Sequence, residues 1–335
     1  MKVLVTGGCG YIGSTICSAL ADAGHTPVIL DSLYAGRRAF ARDFAFYHGD
    51  IADTALLETI KKEHPAIEVC IHCAARIVLP ESVEQPFEYY WENVSKSQVL
   101  FHKLSKLGIK KVVFSSSASI YAPCDGASVA EDAALAPASP YARTKYMMEM
   151  VLEDFCRAYG MQGLALRYFN PIGADPKLRT GQQIVHPTHV LGKMINTALG
   201  FLPMFHVTGN EYNTRDGSGL RDYIHVWDLA QAHVAAAERL DAIFADETYN
   251  NYLAMNLGTG DGVTVFELLK AFESVLGRPI PHSVAPARPG DVAGACANPA
   301  LANKLLGWKT LLSMEQGISD ALKWIEVRDA IIGAV

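Results

Sequence analysis

The sequence predicts an α/β fold: a doubly wound parallel sheet, followed by a smaller lobe of mixed α/β character toward the C-terminus. Three observations predict it. Short β-rich runs alternate with longer helical patterns through residues 1–172, an order that builds a parallel sheet covered on both faces. A glycine-rich stretch joins the first run to the first helical pattern. After Pro171 the alternation stops, and residues 173–222 become rich in Gly, Asn, Thr, Asp and Pro, as suits a looser lobe that closes over a ligand.

KVLVT (2–6) is the first expected strand, and YIGSTICSALADAG behind it repeats apolar residues at helical intervals. TPVIL (26–30) follows. FAFYH (44–48) precedes a helix over 52–63, and EVCIH (68–72) precedes a long helix over 86–107. KVVFSS (111–116) precedes the helix that carries Tyr141, and LALRYF (164–169) closes the series. Beyond it the pattern predicts a helix over 190–198. A helix over 226–240 and a strand over 254–257 are expected to rejoin the sheet, before helices over 265–276, 299–306 and 314–325. The domain expectation is therefore 1–172 with 226–258 returning to it, and a second lobe of 173–225 and 259–335.

With 335 residues the chain can bury a large core, and its charge of −6 gives no support to nucleic-acid or anionic-membrane binding. No run of 18 apolar residues predicts a membrane span. MKVLVTGG enters a strand at once, unlike a signal peptide, and seven scattered cysteines read as reduced thiols, so a cytoplasmic location is expected. Cys70 and Cys73 form a lone C-x-x-C inside a strand pattern, and His186 and His189 lack further ligands, so no metal is expected.

TGGCGYIG (6–13) spaces Gly7, Gly10 and Gly13 so that the backbone turns tightly and a pyrophosphate approaches the helix N-terminus, with Tyr11 and Ile12 in the first helical turn. Following a strand and opening a helix, it makes the fold Rossmann-like and the cofactor a dinucleotide. Asp31 ends the second strand 18 residues after Gly13, where a carboxylate accepts ribose hydroxyls and repels a 2′-phosphate. NAD is the expected cofactor; Arg37 and Arg38 leave NADP as the alternative. Asp50 and Ile51, after the third strand, are placed to cover the adenine.

The reactive residues follow the fifth strand. SSSASIY (115–121) ends in the crevice, and SPYARTK (139–145) sets Tyr141 and Lys145 four apart on one helix face. A phenol with a pKa near 10 becomes a base near neutrality only with roughly 4 kcal/mol of preferential stabilisation of its anion. An ammonium and a positive nicotinamide can supply that in a poorly hydrated site. Tyr141 then takes a hydroxyl proton, Ser117 holds the reacting oxygen, and Lys145 tunes the phenol.

GGCGYIGS, SSSASIY, SPYARTK, RYFNPIGA and RDYIHV, in that order, resemble the extended short-chain dehydrogenases/reductases, and within them the UDP-glucose (UDP-galactose) 4-epimerase family, across the whole length. The resemblance implies oxidation of a UDP-sugar at C4 to a ketone, rotation of the ketose, and return of hydrogen to the other face. It also implies Lys145 on the nicotinamide ribose, Asn93 in the cofactor pocket and Asn170 on the substrate diphosphate. Arg221 and Arg288 would bind the pyrophosphate, Asp291 would lie near the uridine ribose, and a homodimer would form through helices 86–107 and 140–158. Several positions depart from the family pattern. Ile77 stands where a lysine often touches the cofactor, with Arg76 beside it; Ala122 replaces a glycine. Thr208 replaces an aromatic residue beside uracil, and His189 replaces an asparagine that contacts the nucleotide. Ala295, or Cys296 in a shifted register, occupies the place that limits room around the sugar C2 substituent, which implies acceptance of UDP-N-acetylglucosamine. The alternatives are a 4-epimerase of UDP-pentoses or UDP-uronic acids, a nucleotide-sugar dehydratase, which would need a carboxylate beside Ser117, and a non-catalytic NAD-sensing regulator.

Overall fold

The computed structural model describes residues 1–123, 125–185, 187–287 and 293–333. Its largest sheet starts with β1 (Lys2–Thr6), whose alternate side chains serve opposite faces. Val3 and Val5 pack under α1 (Tyr11–Asp22), while Leu4 packs on the other side. The chain continues through β2 (Thr26–Asp31), β3 (Ala45–His48), α2 (Thr54–Glu63) and β4 (Ile67–His72). Asp53 caps α2 by accepting the N–H groups of Ala55 and Leu56.

The helix expected over 86–107 is divided. After α3 (Leu79–Glu84) come α4 (Pro86–Tyr90), one wide π-helical turn (Trp91–Ser95) and α5 (Lys96–Lys106). Such a turn inserts a residue into the helical ladder, and periodicity alone does not reveal it. β5 (Lys111–Ser115), β6 (Asp125–Val129) and α6 (Pro140–Tyr159) follow. Ser139 caps α6 through the Ala142 N–H, and Gly160 ends it at φ +59°.

β7 (Gln162–Tyr168), β8 (Asn170–Ile172), α7 (Val190–Ala198), β9 (Phe205–Thr208), β10 (Leu220–Arg221) and β11 (Tyr223–His225) lead to α8 (Val226–Phe244). β12 (Tyr252–Leu257), β13 (Val263–Thr264), α9 (Val265–Leu276), β14 (His282–Ala285), β15 (Gly294–Ala297), α10 (Ala300–Leu306) and α11 (Met314–Ile332) complete it. The parallel sheet has the order β12-β7-β5-β4-β1-β2-β3. α1, α8 and α10 bury one face, and α2, α5 and α6 bury the other. α8 packs against this sheet and β12 forms its edge.

A separate apolar cluster gathers Leu191, Phe205, Tyr223, Leu268, Phe272 and Ile318 around α7, α9 and α11. Here the sheets shrink to pairs: β8 with β11, β9 with β14, β6 with β15 and β10 with β13. Sequence periodicity missed β14 and β15, each four residues long, and ended α11 seven residues early at 325. No helix among the described residues is long and apolar enough to cross a membrane.

Candidate active site

Gly7 turns at φ +73°, and a Cβ there would lie 2.7 Å from the Ala74 nitrogen. A Cβ on Gly13 would lie 2.2 Å from the Gly7 carbonyl oxygen, so Gly13 exists for helix-to-turn contact. Gly10, the cap of α1, is different: its nearest neighbour would be 3.4 Å away, and no side chain caps the helix. The N–H groups at Tyr11 and Ile12 begin this uncapped helix, while the Tyr11 hydroxyl donates to the Gly173 carbonyl at 2.7 Å. A backbone cradle with space at its centre fits the diphosphate of a dinucleotide.

Asp31 is 8% exposed and accepts the Cys9 N–H at 2.9 Å and the Leu33 N–H at 2.7 Å, one on each oxygen. Burial raises its pKa against those bonds. A carboxylate has about four acceptor sites, so two remain for ribose hydroxyls. Asp50 accepts the Ala52 N–H and pairs with Lys96 at 2.5 Å, with Ile51 buried beside it. Asn93, on the π turn, accepts the Arg76 N–H at 2.7 Å and donates to the Arg76 carbonyl at 2.9 Å and to Thr144 at 3.1 Å. It ties the loop after β4 to the helix that carries Tyr141.

Beyond β5 the three serines diverge. Ser115 meets Cys73 at 3.2 Å and His233 at 3.0 Å; Ser116 donates to Glu149; Ser117 donates to Ser119 at 2.9 Å. Ser117 also hydrogen-bonds Tyr141, lowering a phenol pKa that burial raises more strongly. Lys145 donates to the Ser115 carbonyl at 2.8 Å and lies 5.9 Å from the Tyr141 ring centre. Burial brings the Lys145 ammonium down to about 8. In the protein alone the net effect on the Tyr141 phenol is upward, because burial outweighs the Ser117 hydrogen bond.

Behind the cluster lies a buried polar network. Glu149, one turn after Lys145, takes a two-pronged ion pair from Arg167, with contacts of 3.0 and 2.7 Å. Arg167 also donates to the Tyr121 hydroxyl, which donates to Asn256 at 2.7 Å. The i,i+4 spacing of Lys145 and Glu149 is the sequence signal that points to Glu149.

On the other side of the crevice, Asn170, His189, Lys193, Thr208, Arg221 and Tyr223 line a cleft of about 220 Å³. Arg221 reaches the Leu220 and Ala293 carbonyls at 2.6 and 3.2 Å. His189 caps α7, accepting the Gly192 N–H, and burial pushes it down to about 4, so it is neutral at physiological pH. Asp222, absent from the sequence-derived set, is fully buried and binds the Thr259, Gly260 and Ala297 N–H groups and the Thr259 hydroxyl. Ala295 is half-buried on β15 and Cys296 is buried. Arg288 and Asp291 lie outside the described residues, as do Cys124 and His186.

Residues 3–251 match the sequence pattern of the NAD dependent epimerase/dehydratase family. The chain is 39% identical to a UDP-glucose 4-epimerase of Bacillus subtilis, an alignment covering 97% of this chain and 96% of that one. A UDP-glucose 4-epimerase structure from Stenotrophomonas maltophila, with bound NAD and formylated UDP-arabinopyranose, superposes with a TM-score of 0.92 at 38% identity, covering 98% of this chain and 99% of the other. One from Bifidobacterium longum, in complex with NAD+ and UDP, gives 0.88 at 33% identity over 100% of both chains.

Proposed function

The chain belongs to the NAD dependent epimerase/dehydratase family, and from that premise we propose that it inverts C4 of a UDP-hexose, through a transient 4-ketose, with NAD as cofactor. The observation that carries this reading is the meeting of an open glycine cradle with the Ser117–Tyr141–Lys145 cluster at the carboxyl end of one sheet.

Gly7, Gly10 and Gly13 hold the cofactor diphosphate, with Tyr11 and Ile12 at the helix start, while Asp31, Asp50, Ile51 and Asn93 frame its two ends. NAD, when bound, supplies a positive ring beside Tyr141 and the carbon that accepts and returns hydride. Tyr141 takes the proton of the sugar 4-hydroxyl as C4 is oxidised and gives it back after the ketose has turned. Ser117 hydrogen-bonds the reacting oxygen, and the Lys145 ammonium stabilises the phenolate electrostatically. Asn170, His189 and Arg221 bind the UDP portion, with Arg288 and Asp291 in the same roles by motif. Bidentate guanidinium contacts suit a diphosphate.

Ala295 leaves room at the sugar C2 position, so N-acetylated hexoses are within its range. The lobe formed by 173–225 and 259–335 carries the substrate, and the domain formed by 1–172 with 226–258 carries the cofactor. Exposed Val83, Phe87, Trp91 and Met150 on α3 to α6 support a homodimer, which sedimentation checks. A cytoplasmic site of action suits the expected reduced thiols.

The test is incubation of purified protein with UDP-galactose, UDP-N-acetylgalactosamine and UDP-pentoses, without added cofactor, followed by product identification. The expected products are the C4 epimers of the hexoses; absence of any C4 epimer from UDP-galactose overturns the assignment.

A further inference from the structure

In the sheet order, β4 and β2 flank β1, so the loops that follow them rise on either side of the glycine turn. Both are moored to it. Ala74 sits against Gly7, where an added Cβ would be 2.7 Å away, and the Arg37 N–H donates to the Cys9 carbonyl at 2.9 Å. The two loops also meet each other: the Arg76 guanidinium lies over the Tyr34 ring, 4.6 Å from its centre.

The two partners differ in rigidity. Arg76 stands on a built platform. Asn93 holds its N–H and carbonyl, the fully buried Tyr89 bonds the Val78 N–H and carbonyl, and Glu81 and Glu88 lie 3.4 and 3.9 Å from the guanidinium. Tyr34, by contrast, is 68% exposed on the loop after β2. A ring over a guanidinium whose side chain is only 17% exposed is an attractive contact of moderate strength, and water competes poorly for it.

We propose that Arg76 and Tyr34 form a clasp over the bound dinucleotide, and that separating them sets how fast NAD leaves. The clasp rests on the NAD reading of the glycine turn. A cofactor that is reduced and then reoxidised within each turnover has no need to depart, and a clasp of this kind keeps it in place between turnovers.

The test uses holoenzyme loaded with isotopically labelled NAD and chased with excess unlabelled NAD. Tyr34→Ala and Arg76→Gln are each expected to speed loss of label roughly tenfold, the value of one such contact. Tyr34→Phe, which keeps the ring, is expected to release label at the wild-type rate, and the double variant no faster than either single. Tyr34→Ala alters an exposed side chain, so the test survives if Arg76→Gln misfolds. Wild-type release from Tyr34→Ala, or multiplied effects in the double variant, would overturn the clasp. Wild-type protein that retains no label would remove the NAD reading itself, a result distinct from unchanged rates.

Discussion

At the glycine turn the working surface is backbone: Gly7 at φ +73°, room beside Gly10, and an uncapped helix start. In the cleft opposite it is side chain: Asn170, His189 and Arg221 lining the space, and Asp222 tying the loops behind them. The first surface admits no added atoms at Gly7 or Gly13 and depends little on charge. The second depends on individual polar groups held by other polar groups. Damage to the two ought therefore to register in different measurements, cofactor retention on one side and substrate affinity on the other.

The largest expected effect falls between the two regions. Tyr141→Phe removes the proposed acid–base group while leaving both surfaces intact. Turnover is expected to fall by about 10³-fold or more with NAD still bound; retention of full activity contradicts the mechanism. Asp222→Ala strands four donors in the interior, at a cost of about 3 kcal/mol or more in stability, and should raise KM for the UDP-sugar with cofactor content unchanged. Denaturant midpoints and KM values check it, and lost NAD with normal KM would erase the distinction.

The glycines sharpen the same comparison. Gly13→Ala forces a Cβ against the Gly7 carbonyl and should lose about 1–3 kcal/mol of stability together with the cofactor. Gly10→Ala meets only an ordinary contact and should lose NAD while keeping its melting temperature. Equal melting losses in both would refute the assigned roles.

A further effect is on pH dependence and belongs to the sheet domain. Burial pushes His72 down to about 3 and His233 to about 4. Both stay neutral when folded and protonate when unfolded below about 6.5, so unfolding takes up protons. Stability should fall as pH drops from about 6.5 toward 4, by up to roughly 2.7 kcal/mol per pH unit for the two together. Urea midpoints from pH 7 to pH 4.5 measure this, and a flat profile would contradict it.

The sequence exposed the cofactor surface well because its signals are local: glycine spacing, alternation in 2–6, and Tyr141 four residues before Lys145. It exposed the cleft poorly because its framework is long-range. β14 pairs with β9 across some 75 residues, and Asp222 reaches Ala297 across a similar span, with no periodicity at either end. The resemblance singles out Asn93, but its hydrogen-bond partners Arg76 and Thr144 are not legible in the sequence, since a π turn re-aims the side chain. The rise in the Tyr141 pKa was equally hidden, because burial is a property of the assembled fold.

Glu149 and Arg167, locked together under the catalytic helix and braced by Ser116, Tyr121 and Asn256, have a mechanical meaning. To invert a carbon, one body must swing and the other must stand still. These side chains bolt the helix to β5, β7 and β12, so in the proposed reaction the phenol is the stator and the sugar the rotor. Loosening the bolts, even far from any ligand, should blur which face of the ring is presented and spoil the timing of the return stroke.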